Sequence, residues 1–315
     1  MRLAELQGPR SFVVVDVPVP EVAPDQVLVK VTTCGVCSSE LGGWAGRVET
    51  SFPTRIGHEV SGEVVAVGSS AETFSPGDRV AVWNTGSGYA EYVAVREEYC
   101  RSVGEVPLEQ ALAEPLACAS NAVELTDVRL GDDVVIVGAG FMGLLVLQLV
   151  ALRGARQIVV ADTRADVLAL AAQLGATRTV NSAEESLPEV VAALTGGAGA
   201  DVTFEVTGSQ SALDVVGDVT RMSGKIALVG YHQGDARQVP LASWNWMAFS
   251  IVNCHFREVA TILRGMTVGM RLLVAGRIRL DLLITHRFPL DRINDAFATA
   301  VDRPDGFVKA TVVLA

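Results

Sequence analysis

Positive charge is scarce in this sequence, and the shortage limits its partners. The 315 residues include 25 lysines and arginines against 36 aspartates and glutamates, a formal net charge of −11. Nucleic acids and anionic membrane surfaces attract basic proteins, so this charge argues against both kinds of partner.

Cysteine is also sparse. Five cysteines, an odd number scattered along the chain, do not make a disulfide framework. The first residues lack a charged segment followed by an apolar run, so no signal peptide is visible. Both absences predict a reducing, cytoplasmic location, where cysteines serve as metal ligands, nucleophiles or core residues.

What the sequence has in abundance is short apolar segments broken by glycine and proline. In the first hundred residues, strand-like stretches lie at 11–18, 26–33, 63–67, 75–82 and 89–95. This pattern predicts a small β-barrel or sandwich. Gly42, Gly43 and Gly46 are expected to form a loop that holds Trp44.

Residues 132–162 predict the element around which the chain is organised. A buried strand at 134–137 leads directly into Gly138-Ala139-Gly140-Phe141-Met142-Gly143, and a long apolar stretch, a second strand and Asp162 follow. Gly138 would allow a tight turn, Gly140 a close approach to a pyrophosphate, and Gly143 close packing of helix on strand. Asp162, about 20 residues beyond the last glycine, could accept hydrogen bonds from an adenosine ribose. The uncharged run at 134–152 could also be a membrane span, but the glycines inside it favour a dinucleotide site.

Strands and helices alternate after Asp162, which predicts a mainly parallel sheet. We expect an α/β fold with a catalytic domain at 1–118, a cofactor domain at 119–253, and a segment at 254–315 that returns to the first domain. The expected helices lie at 166–174, 211–216 and 268–275. A further helix near Leu108 is expected to be interrupted at Glu114-Pro115.

Four side chains could bind a metal: Cys37, His58, Glu59 and Glu114. Thiolate, imidazole and carboxylate all bind Zn²⁺, and a catalytic zinc site uses three protein ligands and keeps one position open. Singly, each is weak evidence, because a lone cysteine is usually core and a glycine-flanked histidine is as often structural. Spacing alone leaves both interpretations open.

Seven motifs occur in the order typical of zinc-dependent medium-chain dehydrogenases. They are GVCSSE (35–40), GHEVSGEVVAVG (57–68), PGDRV (76–80), GYAEYV (88–93), AEPLA (113–117), VGAGFMG (137–143) and LITHRFPL (283–290). The chain resembles that family over nearly its whole length, and its sorbitol- and threonine-dehydrogenase-like branch most closely. The resemblance implies a Rossmann cofactor domain, a β-rich GroES-like catalytic domain, one catalytic zinc ion, and NAD-dependent oxidation of an alcohol or polyol at a cleft between the domains.

The resemblance also implies roles for individual residues. Cys37 and His58 match zinc ligands, and Glu59 matches a residue that binds the metal or stands behind it. Glu114 matches a further carboxylate of this branch, and Ser39 a hydroxyl that takes the proton from the alcohol. The residues expected to bind the cofactor are Gly138, Gly140, Phe141, Met142, Gly143, Asp162, Thr163, Arg164, Val229, Gly230 and Lys309. Among these, Val229 and Gly230 match backbone that meets the nicotinamide, and Lys309 a basic residue near the pyrophosphate.

The chain departs from the family pattern in two places. The four-cysteine lobe that holds a structural zinc in many relatives is missing, since the sequence runs from Val80 through AVWNTGSG to Tyr89. Gly42 stands where many relatives have a histidine that ends the proton relay. Trp44 and Trp83 fall near positions that wall the substrate site, and ordinary core packing is the alternative for both.

Two other functions fit the same fold: a zinc-independent NADPH quinone or enoyl reductase, and a non-enzymatic cofactor-binding scaffold. Cys37 with the Gly57-His58-Glu59 element argues against the first, and Ser39 beside intact ligands against the second. Asp162 would repel a 2′-phosphate, which predicts NAD over NADP, although Arg164 lies close enough to soften the preference. A homodimer or homotetramer is expected.

Overall fold

A computed structural model describes residues 1–84 and 86–314. The strands, in chain order, are β1 Arg2–Gly8, β2 Ser11–Asp16, β3 Gln26–Gly35, β4 Glu59–Val67, β5 Arg79–Trp83, β6 Tyr92–Arg96, β7 Cys100–Ser102, β8 Asp133–Val137, β9 Gln157–Asp162, β10 Arg178–Asn181, β11 Ala200–Glu205, β12 Thr220–Leu228, β13 Ser250–Asn253, β14 Ile284–Pro289 and β15 Lys309–Val313.

The α-helices alternate with the later strands. They are α1 Ser38–Trp44, α2 Ala113–Thr126, α3 Phe141–Arg153, α4 Ala165–Gln173, α5 Leu187–Thr195, α6 Gln210–Val219, α7 Leu241–Trp246, α8 Val259–Val274 and α9 Ile293–Asp302. Short 3₁₀ turns occupy Glu97–Tyr99, Leu108–Gln110 and Leu290–Arg292. The predicted α/β fold, with a parallel-sheet cofactor domain and a β-rich domain, is confirmed.

The chain divides into two compact units. The first joins Met1–Ala117 to Val259–Ala315, and the second is Cys118–Glu258. The predicted boundary after residue 118 lies one residue from the observed division, and the one after residue 253 lies five residues from it.

The first unit is built on a seven-stranded sheet in the order β14-β15-β3-β4-β5-β7, with β6 also pairing with β3. β3 and β4 run antiparallel, and their register sets Gly35 at the end of one strand opposite Glu59 at the start of the other. The C-terminal strands extend the sheet, and α9 covers it with Phe297, which is fully buried. Alternating apolar positions in β3 and β4 therefore serve one continuous core.

The second unit contains a six-stranded parallel sheet in the order β10-β9-β8-β11-β12-β13. β8 lies inside this sheet, and Val134, Val135 and Ile136 in it are fully buried, which is why that segment is apolar throughout. α3 follows β8 and ends at Gly154, whose left-handed φ of 79° stops the helix.

The run at 134–152 therefore does not form a single helix. It is divided between β8, the glycine turn and the 13 residues of α3. Within residues 1–84 and 86–314, the length and apolar character that a bilayer crossing requires are not combined in any helix.

Two local predictions are wrong. Gly42 and Gly43 lie inside α1, and of the predicted glycine loop only Gly46 lies beyond the helix. Close packing favours glycine here, since a Cβ on Gly43 would stand 2.9 Å from Oγ1 of Thr50. The break expected at Glu114-Pro115 is also absent: α2 begins at Ala113 and passes through both residues, because a proline in the first turn forfeits no intrahelical hydrogen bond.

Candidate functional site

The candidate metal ligands of the first unit come from two neighbouring segments. Cys37 immediately precedes α1, two residues after β3 ends, while His58 and Glu59 stand at the start of β4. The β3–β4 register brings the two segments together, because Gly35 and Glu59 are paired. One ligand atom from each of Cys37, His58 and Glu59 lies within 4.8 Å of the other two.

The glycine before His58 makes this approach possible. Gly57 has a φ of +106°, and a Cβ there would lie 2.8 Å from the backbone nitrogen of Tyr89. A side chain at this position would therefore push the His58–Glu59 corner away from its neighbours.

The carboxylate of Glu59 is held by Lys309, the first residue of β15. Nζ of Lys309 donates to Oε1 of Glu59 at 2.8 Å and lies 2.7 Å from Oε2. Both side chains are buried. Burial alone would lower the pKa of Lys309, but Glu59 and Cys37 raise it above its ordinary value. The predicted role of Lys309 near the pyrophosphate stays a prediction.

One oxygen of Glu59 is available to a metal. Oε2 is buried and lies 2.7 Å from the Lys309 ammonium, and the missing side chain of Gly35 leaves room beside it, so its second lone pair can face a metal. A thiolate, an imidazole and a carboxylate with an unused lone pair form the three-ligand set that catalytic zinc takes. These residues fit zinc.

The other two predicted members of the site are placed differently. Oγ of Ser39 lies 3.2 Å from Sγ of Cys37, so a hydroxyl stands beside the cluster. Glu114, in the first turn of α2, does not belong to the group of three, although its charge contributes to raising the pKa of Lys309.

Glu40 is a functional residue that sequence reasoning missed. Its buried carboxylate accepts hydrogen bonds from the Gly57 backbone at 2.8 Å and from the Tyr89 hydroxyl at 2.7 Å, and Nδ1 of His58 lies 3.0 Å away. Because a carboxylate only accepts, Nδ1 carries a hydrogen, so Nε2 is the ring nitrogen that would bind a metal on losing its own proton. The sequence feature that could have pointed to Glu40 is its place as the third residue of a helix that begins directly after a cysteine.

Glu40 and His58 shift each other's pKa values, and each stabilises the charged form of the other. Burial alone would raise the pKa of the Glu40 carboxyl, but His58 and the hydrogen bonds from Tyr89 and Gly57 hold it below its usual value. Burial alone would lower the pKa of His58, and Glu40 and Cys37 instead raise it well above its usual value. An ionised Glu40 is thus the built-in partner of His58.

Each of the two tryptophans near the predicted substrate wall packs against an aromatic ring, and for Trp83, which is only partly buried, the wall position stays a prediction. Trp44 is buried in the core of the first unit against Phe297, with ring centroids 5.7 Å apart. Trp83 stacks edge-on against Tyr99 at 4.8 Å. The segment after Trp83 includes residue 85, which lies outside the described residues.

In the second unit the glycine turn has the predicted geometry. Gly138 has a φ of +109°, and a Cβ on Gly143 would meet the carbonyl oxygen of Gly138 at 1.9 Å. Gly140, in contrast, has nothing within 4 Å of a Cβ position, so this part of the turn faces open space. Phe141 and Met142 begin α3, whose free N–H groups and dipole suit a pyrophosphate. The turn fits a dinucleotide.

Asp162 lies at the carboxyl end of β9, tied to the same turn. Its Oδ2 accepts from the Ala139 backbone at 2.7 Å and its Oδ1 from the Arg164 backbone at 3.0 Å. The Arg164 guanidinium pairs with Asp166. Thr163 is exposed between them, and Val229 and Gly230 follow β12 on the other side of β8.

Comparison with known proteins decides the family. A family model described as an alcohol dehydrogenase GroES-like domain matches residues 23–107, and one described as a zinc-binding dehydrogenase matches residues 142–269. A sorbitol dehydrogenase of Gallus gallus is 30% identical over 325 residues, covering 90% of this chain and 88% of its relative. The chain belongs to the zinc-type medium-chain dehydrogenase family.

Solved structures agree with this family assignment. A 2R,3R-butanediol dehydrogenase of Bacillus subtilis is 25% identical with a TM-score of 0.88, covering 100% of this chain and 99% of the other. A zinc-binding dehydrogenase of Sinorhizobium meliloti bound to NADP is 26% identical with a TM-score of 0.86, covering 99% and 98%. The chain is an oxidoreductase of this family, with a GroES-like domain and a Rossmann domain.

Proposed function

We propose that this zinc-type dehydrogenase oxidises a secondary alcohol or polyol with NAD, using Cys37, His58 and Glu59 to hold one zinc ion. The observation that carries the proposal is the cluster of three ligand atoms within 4.8 Å, with the Ser39 hydroxyl beside it. Zinc bound there supplies a Lewis acid that acidifies the alcohol, and the nicotinamide supplies the hydride acceptor.

The chain's own residues have three tasks in this reaction. Glu40 engages Nδ1 of the His58 ring and so leaves Nε2 to bind the metal, and Lys309 balances the negative charge of Glu59. Ser39 would accept the proton of the substrate hydroxyl while passing its own hydroxyl proton on to solvent, to which it is partly exposed. Glu114 stays a candidate for a further carboxylate that exchanges with Glu59, because two bound carboxylates and a thiolate would over-neutralise the metal.

Asp162 supports NAD as the cofactor. Each of its oxygens accepts one backbone hydrogen bond and keeps a lone pair for a ribose hydroxyl, while a 2′-phosphate would be repelled. The pairing of Arg164 with Asp166 engages the cation that could otherwise attract that phosphate. The NADP-bound relative makes the ratio of kcat/KM for the two cofactors the deciding measurement.

The substrate class follows from the relatives together with the zinc ligands. The relatives named above act on sorbitol and on a butanediol, as their names state. A secondary alcohol that carries further hydroxyl groups is therefore the substrate class we propose. A zinc-independent quinone or enoyl reductase is not favoured, because it would have no use for the Cys37, His58 and Glu59 cluster. The expected homodimer or homotetramer and the cytoplasmic location stay predictions.

Metal analysis combined with activity tests the proposal. We expect about one zinc per chain, and NADH formation with a polyol or secondary alcohol that stops when the metal is chelated. Cys37→Ser should lose both zinc and activity, while Cys100→Ala, which removes a buried cysteine outside the cluster, should keep both. Two tightly held zinc ions per chain, or full activity after complete chelation, would overturn it.

A further inference from the structure

The carboxyl ends of β11 and β12 carry a buried ionic cluster that the zinc site does not use. Glu205, the last residue of β11, is fully buried, yet it is a carboxylate. Its Oε1 accepts from the Thr207 backbone and hydroxyl, both at 2.6 Å, and from the Gly208 backbone at 2.8 Å. Its Oε2 lies 2.9 Å from Nε2 of His232, in the segment after β12.

Arg237 determines which ring nitrogen of His232 carries the hydrogen. Its Nε lies 3.3 Å from Nδ1 of His232, and a guanidinium group has no acceptor, so Nδ1 is the acceptor in this pair. The remaining hydrogen of a neutral ring then sits on Nε2, which donates it to Glu205. A cation, a neutral imidazole and a buried anion thus form one directed chain of hydrogen bonds.

This chain of hydrogen bonds joins the turn after β11 to the segment after β12, which leave the sheet side by side. Besides His232, Arg237 donates to the carbonyl oxygens of Gly208 and Gln233, both at 3.2 Å. Glu205 therefore anchors the turn after β11 through Gly208, and the segment after β12 through His232.

Gly230 is enclosed by the same cluster. Its backbone nitrogen, like that of Val229, donates to the carbonyl oxygen of Glu205 at 2.9 Å. A Cβ on Gly230 would stand 2.2 Å from the Gly208 nitrogen and 2.4 Å from Oε2 of Glu205. The Glu205–His232 cluster thus packs directly against the Val229–Gly230 backbone, whose Gly230 carbonyl oxygen also lies 3.2 Å from Nε2 of His255.

We propose that His232 is a positioning residue for the nicotinamide half of the cofactor, acting through Glu205 on the backbone of Val229 and Gly230. The inference rests on the proposed function, NAD-dependent oxidation, together with the expectation from the sequence that Val229 and Gly230 meet the nicotinamide. Dinucleotides bind outside the carboxyl ends of the strands in sheets of this kind, where this cluster lies. Side-chain bonds that orient binding groups commonly set affinity without touching the ligand.

The sheet order separates this half of the site from the adenosine half. Asp162 ends β9, and β12 is three strands away across β8 and β11, about 14 Å at the usual strand spacing. Changes that far apart with no shared partner act independently. Loss of the His232 bond should therefore weaken nicotinamide binding and leave adenosine binding intact.

The test compares two ligands on the zinc-loaded protein: NADH, and ADP-ribose, which lacks the nicotinamide. For His232→Leu we expect the Kd of NADH to rise about tenfold or more, the scale of a lost hydrogen bond to a charged group, and the Kd of ADP-ribose to change less than about twofold. His232→Gln keeps a donor and an acceptor and should recover most of the NADH affinity. His286→Leu, in the other unit, is the matched histidine control and should behave as wild type for both ligands.

Four outcomes separate the possibilities. Unchanged NADH affinity in His232→Leu, or equal losses for both ligands, would overturn the inference, the second because it indicates general damage to the domain. If His232→Leu does not fold, Arg237→Met removes the outer member of the chain of bonds and must show the same selective loss. A wild-type protein that binds neither ligand would instead overturn the proposed function, and this inference with it.

Discussion

The ammonium group of Lys309 lies 2.7 Å from Oε2 of Glu59, a residue 250 positions earlier in the chain. Both side chains are buried beside Cys37 and His58. A buried carboxylate needs a partner, and Lys309 supplies one. The charges of Glu59 and Lys309 thus balance each other, and a zinc ion bound at the cluster would share Glu59 with this lysine.

Lys309→Met tests that balance. Removing one partner leaves Glu59 as an uncompensated buried charge, so the free energy of unfolding of the metal-free protein should fall by about 3–5 kcal/mol. Urea denaturation measures it, with Lys30→Met as the exposed-lysine control. Adding Glu59→Gln to Lys309→Met should recover part of the loss. An unchanged unfolding midpoint in Lys309→Met would show that Glu59 does not depend on the pair.

Glu40→Gln tests the orientation of His58. An amide can donate as well as accept, so it no longer enforces the Nδ1–H form, and zinc affinity should drop about 10- to 100-fold. Competition with a chromophoric chelator gives the zinc Kd. Tyr89→Phe removes one hydrogen bond to Glu40 and should produce a smaller loss in the same direction. Wild-type zinc affinity in both variants would contradict the role given to Glu40.

Ser39→Ala tests the proton transfer. The hydroxyl stands next to Cys37, so its loss should lower kcat by about 100-fold or more while the Kd of NADH stays the same. Ser38→Ala, at the exposed neighbouring position, serves as control. Near-normal turnover in Ser39→Ala would mean that water carries the proton, an outcome that Gly42 at the end of the relay allows.

Two alanine substitutions in the glycine turn should separate folding from binding. Gly143→Ala forces a Cβ to 1.9 Å from the Gly138 carbonyl and should destabilise the protein by about 1–3 kcal/mol or more. Gly140→Ala meets no atom within 4 Å, so the melting temperature should hold while NAD affinity falls, because the methyl group enters the space proposed for the pyrophosphate. NAD affinity unchanged in Gly140→Ala would place the pyrophosphate elsewhere.

Alkaline stability should report the buried thiol of Cys254. Burial raises its pKa from 9.0 to about 12, so the unfolded chain releases this proton at lower pH than the folded chain does. The contribution to stability is therefore complete below about pH 9 and is lost as the pH rises toward 12. Between about pH 8 and pH 10, Cys254→Ala should lose about 1 kcal/mol less unfolding free energy than wild type. If urea denaturation shows that wild type and Cys254→Ala lose equal unfolding free energy between these pH values, the raised pKa of Cys254 is contradicted.

Features that depend on residues close together in the chain could be predicted from the sequence. The β8–turn–α3–β9 element could be predicted because each of its glycines is required by contacts with residues close to it in the chain. Asp162 stands at a fixed distance along the chain from those glycines. The family resemblance gave Cys37, His58 and Glu59 as candidates, and the β3–β4 register of the structure brings them together.

Features that join distant segments became visible in the folded structure alone. In the sequence, Glu40 is an ordinary acid in the first turn of a helix. The folded structure adds the Tyr89 hydroxyl and the Gly57 backbone as its hydrogen-bond donors. Lys309 meets Glu59 because β15 returns to pair with β3, and His232 meets Glu205 because β11 and β12 are neighbours. No spacing in the sequence encodes these pairs, because burial selects the partner of a charge only after the sheets have formed.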